Sequence, residues 1–243
     1  MRWVWRALIL LVVALAVLFV VGDRLAVSAA DRAIAVKARN AAQLNETPSV
    51  SIEGFPFLTQ AANGKYRKIK VTAHGIRRGG VRIDTIHAEF SGVHVALSDV
   101  LAGRVSTVPI DKSTGDILIT YVDLATFLNA KSITVTQAGK GLSLSARVPV
   151  AGQTVTVTGT YGLSVSGNTI VLNPPATSLL IDGAPVASAV LPGVTQALTV
   201  RIDAGTLPFG LKLSSANVTA EGIRVDAVAT GLVFPVPGDA GRT

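Results

Sequence analysis

The chain has 243 residues, 49% apolar, 5% aromatic and 15% charged, and 22 Lys+Arg against 15 Asp+Glu leave a net charge of +7. That length supports a real hydrophobic core, and the composition excludes a disordered chain or a coiled coil. There is no cysteine, which excludes disulfides, thiolate metal sites and a cysteine nucleophile.

Arg2 and Arg6 flank Trp3 and Trp5, and an uninterrupted apolar run then covers residues 7–22. A basic start followed by an apolar stretch reads as an export signal, with the cytoplasm on the arginine side. Counted over residues 3–21, the run reaches the roughly twenty residues that a spanning helix needs. Small residues at 26–30 offer a cleavage site. Residues 1–24 are therefore expected to be a signal anchor or a signal peptide. Either places the rest of the chain outside the cytoplasm, at the cell membrane or in the periplasmic space.

Residues 23–45 lack Gly and Pro, and Val27, Ala30, Ile34, Ala38 and Ala41 recur at steps of three and four. That spacing predicts one helix face, ended by Asn45 and Pro48. The helix either packs on a sheet or continues a membrane helix outward.

From Pro48 the texture changes to alternating runs cut by Gly, Pro and Asn, among them Ile69-Val71, Val81-Ile83, Ile117-Ile119, Leu142-Leu144 and Ile223-Val225. A period of two predicts about ten strands with one face buried. Arg78-Gly79-Gly80, Ala138-Gly139-Lys140-Gly141 and Ser166-Gly167-Asn168 are hairpin-length turns. Short helices are expected at 123–128, with Asp123 as N-cap, at 98–101 and within 185–196. The expected class is α+β, mainly antiparallel β: a long curled sheet packed around an N-terminal helix, in one domain over 25–234 with a loose tail at 235–243. Small aliphatic inward residues suit a filled core or a groove for acyl chains equally.

Catalytic patterns are missing. His74, His87 and His94 fit no zinc spacing, no G-x-S-x-G elbow or phosphate loop occurs, and Asp84 and Glu89 project from opposite faces of their strand. The expectation is no enzyme, no catalytic residue, no metal and no cofactor. With Tyr66 as the one interleaved aromatic, a nucleic-acid partner is not expected either.

What stands out is 51–83. The apolar knot Phe55-Pro56-Phe57-Leu58 precedes seven bases, Lys65, Arg67, Lys68, Lys70, Arg77, Arg78 and Arg82, with no carboxylate until Asp84. Those seven equal the whole net charge. The strip is either a solvated or edge-guarding strand face, or a head-group site for an anionic lipid. Each base near an anionic surface contributes on the order of 1 kcal/mol, and each buried acyl CH₂ about 0.8 kcal/mol. Phe55, Phe57 and Leu58 are then either core or lipid-tail contacts.

The order of these pieces, with "VSIEGFPFLTQAANGKYRKIKVTA", "GVHVALSDVLAGR" and "LPFGLKLSSANVTAEGIRVDAVATG", resembles the actinobacterial LmeA-like phospholipid-binding family, and its general plan is similar to that of tubular lipid-binding proteins. The most specific pieces are Gly54 through Gln60 and Pro208-Phe209-Gly210-Leu211. The resemblance implies an extracytoplasmic protein that binds anionic phospholipids, including phosphoinositides, with phosphatidylinositol and cardiolipin as expected partners. It also implies a link to lipoglycan (lipomannan) assembly. The alternative is an envelope scaffold recruiting a glycosyltransferase or cell-wall enzyme through its basic face.

Overall fold

The computed structural model describes residues 2–42, 44–78, 80–96, 98–99, 102, 104–128, 133–150, 153–175, 178–186, 199–204 and 211–235. Most of the helix expected within 185–196, Val100 and Leu101, Pro208-Phe209-Gly210 and the tail after 235 lie outside them. Ser98 and Asp99 are helical, as expected.

The chain divides into two compact units, 1–72 with 89–112 and 230–243, and 73–88 with 113–229. The first opens with α1 (Arg2–Ala42), 41 residues long, or about 60 Å at 1.5 Å per residue. The apolar segment and the Ala-rich segment are thus one helix, because nothing between Gly22 and Ala42 breaks it. Its first turns are exposed, whereas Asp23, Val27, Ala30, Ile34, Ala35 and Ala38 are wholly or partly buried. That is the face the spacing predicted.

This face packs on β1 (Ser49–Glu53) and α2 (Phe57–Asn63). β1 pairs antiparallel with β2 (Lys65–Arg78), Val50 opposite Val71 and Ile52 opposite Ile69. Gly64 ends α2 in the left-handed region (φ 62°), and its carbonyl accepts from Val95 N–H at 2.9 Å. A Cβ at Gly64 would meet Val95 O and Ala96 Cα at 3.0 Å. Glycine is required there by conformation and by space.

β3 (Val81–His94) reverses its alternation along its length. Val81 and Ile83 are buried at its start, Ala88 and Phe90 towards its end. The parity read from its first residues therefore does not carry to Glu89. With β4 (Thr107–Thr120), β12 (Lys212–Val218) and β13 (Gly222–Pro235), these strands form a six-stranded sheet in the order β1-β2-β3-β4-β13-β12. The chain passes between units within β2, β3, β4 and β13.

The second unit adds a seven-stranded sheet of β5 (Ile133–Ala138), β6 (Gly141–Val150), β7 (Gln153–Ser166), β8 (Thr169–Asn173), β9 (Leu180–Ile181), β10 (Ala184–Pro185) and β11 (Val200–Asp203). The β5–β6 and β7–β8 hairpins turn on Gly139-Lys140 and Gly167-Asn168, with positive φ of 61° at both glycines. These are two of the turns expected from the sequence. The class is α+β with two antiparallel sheets, a division that alternation by itself does not specify.

Both sheets feed one core in this unit. Ile117, Ile119, Ile223 and Val225 from the first meet Leu142, Leu144, Tyr161, Ile170 and Leu172 from the second. α3 (Tyr121–Phe127) closes it with Leu124, which is fully buried. The expected N-cap is corrected here. Thr120 is the cap, its Oγ1 accepting from Asp123 N–H, and Asp123 stands in the first turn. Its carboxylate accepts from Thr120 Oγ1 at 2.7 Å and from Arg82 at 3.1 Å.

Candidate lipid-facing site

The knot is held by α1. Pro56 stands at the N-cap of α2 and has no side-chain acceptor for the unpaired amides of that first turn. Asp23 supplies one instead: its Oδ1 accepts from Leu58 N–H at 2.8 Å, and Asp23 is fully buried. One turn pair further along, Asp31 Oδ1 accepts from Ile52 N–H at 2.9 Å. β1 is an edge strand, so α1 covers backbone that would otherwise be left open to pairing.

Gln60 locks the other side. Its Oε1 accepts from Arg67 N–H at 2.9 Å, while a Cβ on Gly54 would sit 2.8 Å from its Nε2. Gly54 also has φ +109°, a conformation that side chains rarely adopt. The knot thus starts with glycine for two independent reasons.

Within it the three apolar side chains separate. Phe57 is 8% exposed and packs against Tyr66 with ring centroids 6.2 Å apart. Phe55 and Leu58 remain 46% and 40% exposed. Phe57 therefore belongs to the packing, and Phe55 and Leu58 are the exposed members of the trio. Arg24, which sequence reasoning passed over, places its guanidinium 5.4 Å from the centre of the Phe55 ring. The missed signal was local: Asp23-Arg24 is the first charged pair after the apolar run.

The basic strip also divides. Lys65, Arg67, Lys68 and Lys70 belong to the first unit, Arg77, Arg78 and Arg82 to the second. Besides Asp84, two strands and α3 supply carboxylates that the linear sequence did not suggest. Lys68 Nζ lies 2.8 Å from Glu89, Lys70 Nζ 2.6 Å from Glu53, and Arg82 3.1 Å from Asp123 and 3.5 Å from Asp84. Among the described residues, Arg24, Lys65, Arg67 and Arg77 are exposed and have no carboxylate within ion-pair distance. The side chain of Arg78 lies outside the described residues.

The hydrogen bond from Lys70 holds the Glu53 carboxyl below its ordinary value and Lys70 above its own. A lowered carboxylate contributes stability that is present above the ordinary Glu value of 4.5 and is lost as pH falls through the lowered value. Amide protection in β1, taken relative to the intrinsic exchange rate at each pH, is accordingly expected to fall on acidification below that value. Glu53→Gln should remove this pH dependence.

The other groups weighed as chemistry have structural partners. Asp111 pairs with His94 at 3.2 Å, Asp116 with Arg224 at 2.7 Å, and His74 bonds Thr85 at 3.1 Å. No three His, Asp or Glu gather for a metal among the described residues. In the second unit, Val165, Gly167, Asn168, Lys212, Leu213 and Ser214 line a cavity of about 480 Å³, where Asn168 Oδ1 already accepts from Leu213 N–H.

The sequence model of the LmeA-like phospholipid-binding family matches residues 21–228. The chain belongs to that family. The match runs from the last apolar turn of α1 to the middle of β13, so the LmeA-like region includes Asp23, the knot and most of both units. It begins within α1 and takes in the half of that helix that packs on β1 and α2. Comparisons with curated proteins and with solved structures return no match. The LmeA-like family is a lipid-binding one.

Proposed function

We propose that the protein binds anionic phospholipid on the extracytoplasmic side of a membrane and thereby serves envelope lipoglycan assembly. Family membership supports lipid binding. The observation that carries the anionic preference is in the first unit: exposed Phe55 and Leu58 accompany Arg24, Lys65 and Arg67, cations without a carboxylate partner among the described residues. The same unit holds α1, which is long and apolar enough to cross a membrane. Apolar contact with acyl chains and attraction of the phosphate add without any covalent step. In the same unit, Lys68 and Lys70 enter the proposed head-group set only by exchanging their carboxylates for phosphate. Arg77, Arg78 and Arg82 belong to the second unit and are proposed separately as head-group contacts there.

Native mass spectrometry of the full chain, released from detergent with phosphatidylinositol, cardiolipin or phosphatidylcholine added, tests this. The anionic lipids should be retained in preference, and retention should fall as salt rises. Lys65→Glu with Arg67→Glu should lower it about thirtyfold or more, at about 1 kcal/mol per lost base. Equal retention of phosphatidylcholine, indifferent to salt and to both substitutions, would overturn the anionic reading. A protein partner retained in place of lipid would favour the scaffold.

A further inference from the structure

We infer that Phe55 and Leu58 form a wedge fixed to the anchor, seated in the leaflet where the apolar part of α1 ends. This deepens the lipid-binding reading and rests on it for the presence of a bilayer. The apolar run 7–22 spans about 24 Å as helix, and with Trp3 and Trp5 at the far interface it approaches the thickness of a hydrocarbon core of about 30 Å. Asp23 then falls at the level of the lipid head groups. Because Asp23 Oδ1 binds Leu58 N–H at 2.8 Å, the start of α2 lies at that same level. Arg24, 5.4 Å from the Phe55 ring, places the other exposed apolar side chain there too.

The attachment is stiff. α1 runs without a break past this point, and Asp31 holds Ile52 further along it. No flexible linker separates span from knot, so the two side chains have a fixed depth. Amphipathic segments at this level bury apolar groups about 5–10 Å into the head-group and acyl boundary, and Arg24 remains among the phosphates. The wedge would loosen lipid packing beside the anchor, at the place where a phospholipid must leave the leaflet to be bound.

The absence of cysteine makes single-cysteine probes clean. Leu58→Cys retains the N–H that Asp23 holds, and Phe55→Cys is an independent second site. Asn40→Cys, exposed on the same helix and about 26 Å beyond Asp23, is the solvated reference. Each full-length variant carries an environment-sensitive fluorophore in vesicles of phosphatidylcholine and phosphatidylglycerol, with nitroxide quenchers placed shallow or deep on the acyl chains. Trp3 and Trp5 are the two tryptophans, so intrinsic fluorescence reports independently that the anchor is inserted.

The Leu58 and Phe55 probes should emit at shorter wavelength and be quenched several-fold more than Asn40, most by the shallow nitroxide. With Trp3 and Trp5 inserted, water-like emission from both knot probes would overturn the wedge. Retention of anionic lipid in the mass spectrometer would still stand in that case. Conversely, inserted probes without retained lipid would support the wedge and remove the binding reading.

Discussion

Leu142→Ala is expected to lower the unfolding free energy by about 3 kcal/mol, as truncations of buried leucines do. Leu142 is fully buried and stands opposite Tyr161 across β6 and β7, in the core that both sheets share. Relaxation around it is restricted, because Leu144, Ile170 and Leu172 belong to the same buried cluster. For a domain of this size, the loss corresponds to a fall of about 6–12 °C in melting temperature. Near-ultraviolet circular dichroism reads it locally through Tyr161, one of three tyrosines. The experiment also decides between a filled core and an acyl groove in the second unit. A truncation that leaves stability unchanged and lengthens the acyl chains of retained lipid would mean that Leu142 lines a groove.

The second large effect concerns the joint between α1 and the knot. Asp23→Ala removes the acceptor of Leu58 N–H and leaves that amide without its partner, a loss of about 1–3 kcal/mol. The effect should concentrate on α2, because Pro56 offers no substitute cap. Amide exchange of the full chain in micelles should show Leu58 and its helical neighbours losing protection, while the apolar turns of α1 keep theirs. Asp23→Asn, which retains an acceptor oxygen, should restore most of it. Equal losses in the two variants would mean that the charge, rather than the hydrogen bond, holds the knot.

The fate of the basic strip shows where linear reading stops. Its seven bases looked uncompensated because no carboxylate lies among them in sequence. In a sheet the relevant neighbours stand across the strands. Glu53 is opposite Lys68, Glu89 reaches Lys68 from β3, and Asp123 meets Arg82 from the start of α3, 41 residues away. None of these distances leaves a local pattern. Lys65 and Arg67, which precede the β1 pairing, keep the exposure that the sequence suggested.

By itself the sequence determined the apolar N-terminal helix, the continuing helix face, two glycine hairpins, the α+β class and the family signature around the knot. These depend on periodicity, on backbone freedom at glycine, or on composition, all of which are local. Only the tertiary structure decided which aromatic of the knot turns inward, which bases are already paired, and that Asp23 clamps Leu58. The Gly54-Phe55-Pro56 segment is too short and irregular to impose a period on side-chain direction. Hydrogen bonds such as that from Leu58 to Asp23, 35 residues apart, arise when separate elements pack. The opposition of apolar knot and charge was therefore legible early, but its arrangement around the end of the apolar run was set by packing.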